Sequence, residues 1–162
     1  MRRLGIALAM AGLVVASGGQ LMEYDRGKAE REAKESARLT KLGWTKFGDQ
    51  IWLKQTDCFS ARGLDGNSLI WSMTIDVYNW NPTKVFYCDE LPEVILKFTT
   101  RERAFLAPLV WDERRKTYRA AKDSDAIGRQ QTSSVLYVSD VAVSKDARPR
   151  TLVIGDRSVP VE

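Results

Sequence analysis

The sequence predicts an α+β protein that is mostly β. An N-terminal hydrophobic segment and a charged helix precede a small antiparallel sandwich, barrel or curved sheet of about seven strands. Three observations support this. Residues 4–16 are uncharged and apolar, the next stretch is rich in Ala, Glu, Lys and Arg, and from Trp44 the hydrophobic period changes from 3.6 to 2. These changes divide the chain into residues 1–19, a helix at 20–43 and a β domain at 44–162.

The first segment has the order of a secretory signal peptide. Arg2 and Arg3 precede the apolar run, and Ser17, Gly18 and Gly19 follow it. As a helix the run reaches only about 20 Å, short of a bilayer core of about 30 Å. Extension over residues 4–22 gives about 28 Å, enough for a single-pass inner-membrane anchor. A cleaved signal and a retained anchor both predict export, to the periplasm or beyond; the alternative is a buried first helix.

The predicted helix has a narrow apolar face. Ala29, Ala33 and Ala37 recur at a spacing of four, and Gly43 stands where a glycine commonly ends a helix. One interpretation is a solvated helix that leads into the β domain. The other is a juxtamembrane or oligomerising helix, which requires a retained N-terminal segment.

The cysteine count fits an exported chain. Cys58 and Cys88 are the only cysteines, and in an oxidising compartment such a pair usually forms a disulfide. Closing a loop of about 31 residues would stabilise the fold by about 3–4 kcal/mol in the chain-entropy model. The sequence therefore predicts a Cys58–Cys88 disulfide, with two buried free thiols as the alternative.

The clearest strand signal lies at residues 68–80. Apolar side chains from Leu69 to Val77 alternate with polar ones, so one face of this strand is buried. Residues 109–121 read as a hairpin with a charged tip, which brings Trp111 and Tyr118 together across the ladder. Further strands are predicted at residues 50–55, 83–88, 93–99, 135–143 and 151–154.

Composition excludes several chemistries. The chain has no histidine, so Ser-His-Asp and Cys-His nucleophile systems are excluded. No glycine-rich phosphate loop or metal-ligand spacing is present, and we predict neither a metal nor a cofactor. The net charge of +4 includes Arg2 and Arg3, and the basic residues are mixed with acids. We therefore predict no nucleic-acid partner.

Aromatic residues supply the candidate site. Five tryptophans are many for 162 residues, and Trp71 lies on the apolar face of the strongest strand, which indicates a core role. Trp52, Tyr78 and Trp80 fall on opposite, more polar faces, and if these are open they form a patch suited to protein or sugar contacts. The alternative is that the helix or a second sheet covers them.

These features together predict a non-enzymatic exported envelope protein that acts as a binding or assembly subunit through its β domain. Its partners would be envelope proteins or a second copy of the chain. The alternative is a small cell-envelope hydrolase that uses paired carboxylates. Such an enzyme needs a cleft with two carboxyl groups about 5–10 Å apart.

Overall fold

The structure, a computed structural model, describes residues 26–49 and 51–161. The chain divides into two compact units whose boundary falls between Gly43 and Trp44. The segment predicted as a signal or anchor, residues 1–19 with its extension to residue 22, lies outside the described residues. Among the helices of the described part, none has the length and apolar character needed to cross a membrane.

The first unit contains a helix, α1, at residues 26–41. Ion pairs between Lys28 and Glu32, and between Glu35 and Arg38, link successive turns on its surface. The helix ends at Gly43, which has φ of +83° and donates its N–H to the Thr40 carbonyl. The three alanines at spacing four are exposed.

The second unit is an antiparallel sheet that curls into a half-barrel, and strands make up 52% of the structure. Ten strands form the main sheet in the order β1-β2-β3-β9-β6-β5-β11-β12, with β10 beside β3 and β7 beside β6; β4 and β8 pair separately. Their bounds are β1 Thr45–Phe47, β2 Ile51–Arg62, β3 Ser68–Asn79, β4 Phe86–Tyr87, β5 Val94–Phe98, β6 Arg103–Asp112, β7 Thr117–Ala120, β8 Ala126–Ile127, β9 Thr132–Ser139, β10 Val143–Ser144, β11 Pro149–Ile154 and β12 Arg157–Pro160.

The prediction of about seven strands was too low, because the described residues contain twelve. Strands of two or three residues, such as β4, β8 and β10, are too short to show an alternation. The prediction for residues 83–88 shrinks to Phe86–Tyr87. The strand predicted at residues 68–80 and the Trp111–Tyr118 hairpin are confirmed, and Trp111 and Tyr118 are register partners.

The inner face of the sheet holds the core. Along β3 the side chains of Met73, Ile75 and Val77 are fully buried, and Trp71 is 8% exposed. Met73 lies opposite Cys58 of β2 on one side and Tyr137 of β9 on the other. The alternation of apolar and polar residues along β3 therefore separates side chains that face the core from side chains on the outer face.

Asn79, a buried polar residue, ends β3 and connects three segments. Its Nδ2 lies 2.9 Å from the Lys84 carbonyl and 3.1 Å from those of Ile127 and Gly128. Its Oδ1 accepts the N–H of Asn81 at 3.0 Å. One amide thus satisfies backbone groups of the loop after β3 and of the end of β8, which would otherwise be buried without partners.

The two long edges of the sheet approach at one end. In the turn between β11 and β12, Gly155 has φ of +58°, and a Cβ added there would lie 3.0 Å from Cε2 of Phe47 in β1. Glycine is required at this position by both the backbone conformation and the close approach. At the opposite end, β2 continues to Arg62 far beyond β1.

We predict that Asn79→Leu lowers the free energy of unfolding by about 2–4 kcal/mol, since it leaves several buried backbone groups unpartnered. Urea unfolding measures the change. Asn67→Ala is the matched control, because the exposed Asn67 side chain makes no hydrogen bond in the structure. A loss at position 79 no larger than that of the control would contradict the role of this amide.

Candidate binding surface

The three aromatic residues predicted as a patch lie near the start of β2 and the end of β3. Trp52 and Tyr78 are register partners on the outer face, and Trp44 packs edge-on against Tyr78 with ring centroids 6.0 Å apart. Trp80 follows β3 directly and is half-buried. The structure therefore brings Trp52 and Tyr78 together.

The exposure of these three side chains is small to intermediate. Trp52 is only 2% exposed, and Tyr78 is half-buried like Trp80. Trp52 is buried but lies outside the hydrophobic core cluster to which its neighbours Ile51 and Leu53 belong. The sequence showed the correct face but contained no signal for its burial.

The structure offers a different surface, the free edge of β2. On the side away from β3, β2 pairs only with β1, and that pairing covers residues 51–53. In the described part of the chain, residues 54–62 therefore have no sheet partner on this side. An unpaired edge presents a row of backbone N–H and C=O groups to another strand. We call residues 54–62 the β2 edge.

Apolar side chains lie beside the β2 edge. Phe59 is 45% exposed and Ile70, on the neighbouring strand, is 37% exposed. Both point to the outer face, because Phe59 pairs with Ser72 and Ile70 pairs with Ala61. The surface thus combines unpaired backbone with apolar contact area.

Sequence reasoning missed the β2 edge because its pattern is weak. The stretch from Thr56 to Arg62 is mostly polar, and both of its faces are largely exposed. A bulge between Gln55 and Asp57 also shifts the register, which breaks the period of two. The only available signal was the aromatic residue at position 59.

The predicted Cys58–Cys88 disulfide is absent, and both cysteines are free. The prediction placed Cys88 at the end of a strand at residues 83–88. Instead β4 leaves the main sheet to pair with β8, and Cys88 begins a short 3-10 helix, Cys88–Glu90, whose first N–H bonds the Asp125 carbonyl. Cys58 lies on β2 opposite Met73, so the two thiols reach the core from separate elements.

Neither thiol is activated. Burial, with the nearby Asp57 carboxylate, raises the pKa of Cys58 to about 11. Burial also raises the pKa of Cys88, helped by Asp125 and Asp89. Because the thiolate is the nucleophile, the raised pKa values lower the reactivity of both groups at neutral pH.

An ion cluster connects the β6–β7 hairpin to the loop before β8. The Arg119 guanidinium donates two hydrogen bonds to Asp125, at 2.6 and 2.7 Å, and one to Asp112 at 3.3 Å. The hydrogen bonds from Arg119 lower the pKa of Asp125 to about 2. Both carboxylates therefore hold the hairpin in place. Within residues 26–49 and 51–161, no group of three or more His, Cys, Asp or Glu side chains is arranged to hold a metal.

Comparison with known proteins addresses the fold. No family model matches the chain, and no curated protein matches it. Among solved structures, the chain is similar to an uncharacterized β-sandwich protein from Clostridium difficile 630, with a TM-score of 0.54 and 10% sequence identity. The match covers 72% of this chain and 87% of that one. This likeness supports a β-sandwich type of fold for the β domain.

We predict that both thiols of the native protein react with DTNB at pH 8 at least about ten times more slowly than in urea, because burial holds them protonated. Cys58→Ser isolates Cys88 and Cys88→Ser isolates Cys58. Intact mass after purification under air shows both cysteines reduced. A mass two hydrogens lower would restore the predicted disulfide.

We predict an acid-dependent loss of stability from the Arg119 cluster. The folded pKa of Asp125 lies below its unfolded value, so its contribution is complete above about pH 4 and is lost as the pH falls towards about 2. In Arg119→Gln the contribution of this ion pair is missing. The free energy of unfolding, measured in urea, therefore falls less as the pH is lowered. Arg114→Gln makes the same charge change at a side chain without an ion pair in the structure. Equal profiles for the two variants would contradict the assignment.

Proposed function

We propose that this chain is a non-enzymatic, exported envelope protein that acts as a binding or assembly subunit through its β domain. The observation that carries the binding role is the β2 edge, nine residues without a sheet partner on one side. Export rests on the order of charged, apolar and small residues in the first 19 positions. No histidine-based nucleophile is available, and the two thiols are held protonated, which supports a role without covalent chemistry.

The β2 edge suits the addition of an extended segment from a partner. In this mode main-chain hydrogen bonds supply affinity, and alternate side chains supply specificity. Phe59 and Ile70 would contact the partner's apolar side chains on the outer face. Beyond them the partner meets Asp57 and Arg62, which lie on opposite sides of Phe59 along the strand.

The same charges argue for a dedicated partner over indiscriminate self-association. Bulges and charged side chains on an edge strand disfavour pairing with an unmatched strand. The β2 edge carries Lys54, Asp57 and Arg62 together with a bulge. A segment with complementary charges overcomes this barrier, so we propose an envelope protein with an extended strand as the partner.

A carboxylate-pair hydrolase is the alternative function, and one observation favours it. Glu93 and Asp140 line the same cavity of about 330 Å³, next to Pro108 and Phe105. Asp140 Oδ1, however, accepts the Phe105 N–H at 3.2 Å, so this carboxylate already connects β6 to the loop after β9. If the protein hydrolyses envelope glycans and the Glu93→Gln variant does not, the hydrolase function would replace the binding role.

We predict that a photo-crosslinking amino acid at position 59 captures a partner in the native cell, whereas the same residue at position 105 does not. Phe105 is the matched control because it is 51% exposed on the same outer face but lies on β6, which is paired with β5 and β9. Mass spectrometry identifies the adduct and the fraction that contains it.

Two results would overturn the proposal. Equal crosslinking from positions 59 and 105, or none from either, would remove the β2 edge as the binding surface. Recovery of the native protein from the cytosol with residues 1–19 intact would remove export.

A further inference from the structure

A basic cavity lies at the end of the half-barrel opposite the close approach of Gly155 and Phe47. Its volume is about 580 Å³. Arg62 contributes from the end of β2, Trp71 and Leu69 from the start of β3, and Lys145 and Arg148 from the loop between β10 and β11. Ser60 and Gly66 complete the lining.

The cations of this cavity have no carboxylate partners. No ion pair within the described residues involves Arg62, Lys145 or Arg148; the ion pairs in this part of the chain belong to α1 and the β6–β7 hairpin. No acidic side chain lines the cavity. Three positive charges that converge without neutralisation repel one another, so an anion between them would relieve that repulsion.

Asp146 follows Lys145 directly, but it does not line the cavity and forms no ion pair among the described residues. Two other carboxylates, Asp65 and Glu102, are bonded to neighbouring loops. Asp65 accepts the N–H groups of Asn67 and Ser68 and the Ser68 hydroxyl. Glu102 accepts the Thr100 hydroxyl and the Ser144 N–H. These bonds lower the pKa of both carboxyl groups and hold the loops that shape the cavity.

One guanidinium is held in place beside the cavity. Arg148 Nη1 donates to the carbonyls of Lys145, at 2.9 Å, and Ala147, at 3.2 Å. This arrangement fixes the guanidinium while Nε and Nη2 have no partner among the described residues. Trp71 is 92% buried, and its Nε1 likewise has no hydrogen-bond partner. A buried N–H without a partner is uncommon in native proteins, and because this nitrogen is itself inaccessible to solvent, a ligand reaches it only after a local rearrangement. The indole of Trp71 therefore serves as a reporter at the wall of the cavity.

A second basic cavity adjoins the first. Lys97, Arg101, Arg103 and Arg150 line it together with the engaged Glu102. The Thr99 N–H donates to the Arg148 carbonyl at 3.0 Å. This hydrogen bond connects Arg148, which lines the first cavity, to the residue that follows Phe98, which lines the second. Seven cations thus surround this end of the sheet, and their fields add to attract an anion.

We propose that the cavity of Arg62, Lys145, Arg148 and Trp71 binds a phosphate or sulfate group. Guanidinium groups match the geometry of such oxyanions, and a lysine adds a point charge. The volume exceeds that of a single phosphate, which leaves room for a diphosphate or for the sugar or glycerol that bears the group. The group belongs either to a soluble metabolite or to a lipid headgroup.

Pyrophosphate is the probe, titrated into the full chain by calorimetry at low ionic strength. We expect binding that weakens as salt rises, and at least a tenfold loss of affinity in Arg62→Gln/Arg148→Gln. The control is Arg114→Gln/Arg129→Gln, two exposed arginines that form no ion pair with any other described residue; it keeps the wild-type affinity within twofold. The Trp71 indole resonance, assigned with Trp71→Phe, shifts on saturation.

A second arm separates the two sources of the group. If the ligand is a lipid headgroup, the protein binds vesicles of phosphatidylglycerol but not vesicles of phosphatidylcholine alone. The Arg62→Gln/Arg148→Gln variant then loses this binding. Binding of pyrophosphate but not of vesicles points to a soluble ligand. Absence of binding to both probes, an equal loss in the control variant, or an unmoved Trp71 resonance would overturn the proposal. Melting temperatures confirm that both double variants are folded.

Discussion

The architecture of the β domain depends on β3. This twelve-residue strand pairs with β2 along nearly its whole length and with β9 over residues 72–78. Met73, Ile75 and Val77 are fully buried on its inner face, and each such side chain contributes about 1.5–3 kcal/mol. Asn79 then anchors the strand's end through four hydrogen bonds. A single strand therefore sets the register of β2 and β9, supplies buried side chains to the core and anchors the loops around Asn79.

The sheet curls around this core but remains a half-barrel. At one end Gly155 approaches Phe47, and the edges nearly meet. At the other end β2 extends alone to Arg62, which leaves both an unpaired edge and the basic cavity. The β2 edge and the basic cavity, to which we assign binding, therefore both result from the incomplete closure of the sheet. Incomplete closure exposes backbone on the side of β2 and basic side chains at its end.

The chemistry of the described side chains agrees with a binding protein. Cys88 is buried and Cys58 is half-buried, both with raised pKa values, and Asp112 and Asp125 hold Arg119. By contrast, the cations of the basic cavity have no ion pair among the described residues. Several acidic groups of the described residues therefore serve the fold, whereas the cations of the basic cavity form the anion site that we propose.

Elements whose signal is local could be predicted from the amino-acid sequence. The alternation along β3, the Trp111–Tyr118 hairpin and the burial of Trp71 could all be read from it, because a side-chain period of two and a charged turn need only neighbouring residues. The tertiary structure decided what depends on distant segments: the path of β4 that separates Cys58 from Cys88, the burial of Trp52, the extent of β2, and the meeting of Arg62 with Arg148. The β2 edge is exposed on both faces, so its sequence shows no alternation of apolar and polar residues. Arg62 and Arg148 are 86 positions apart, so they share a cavity only once the sheet has curled.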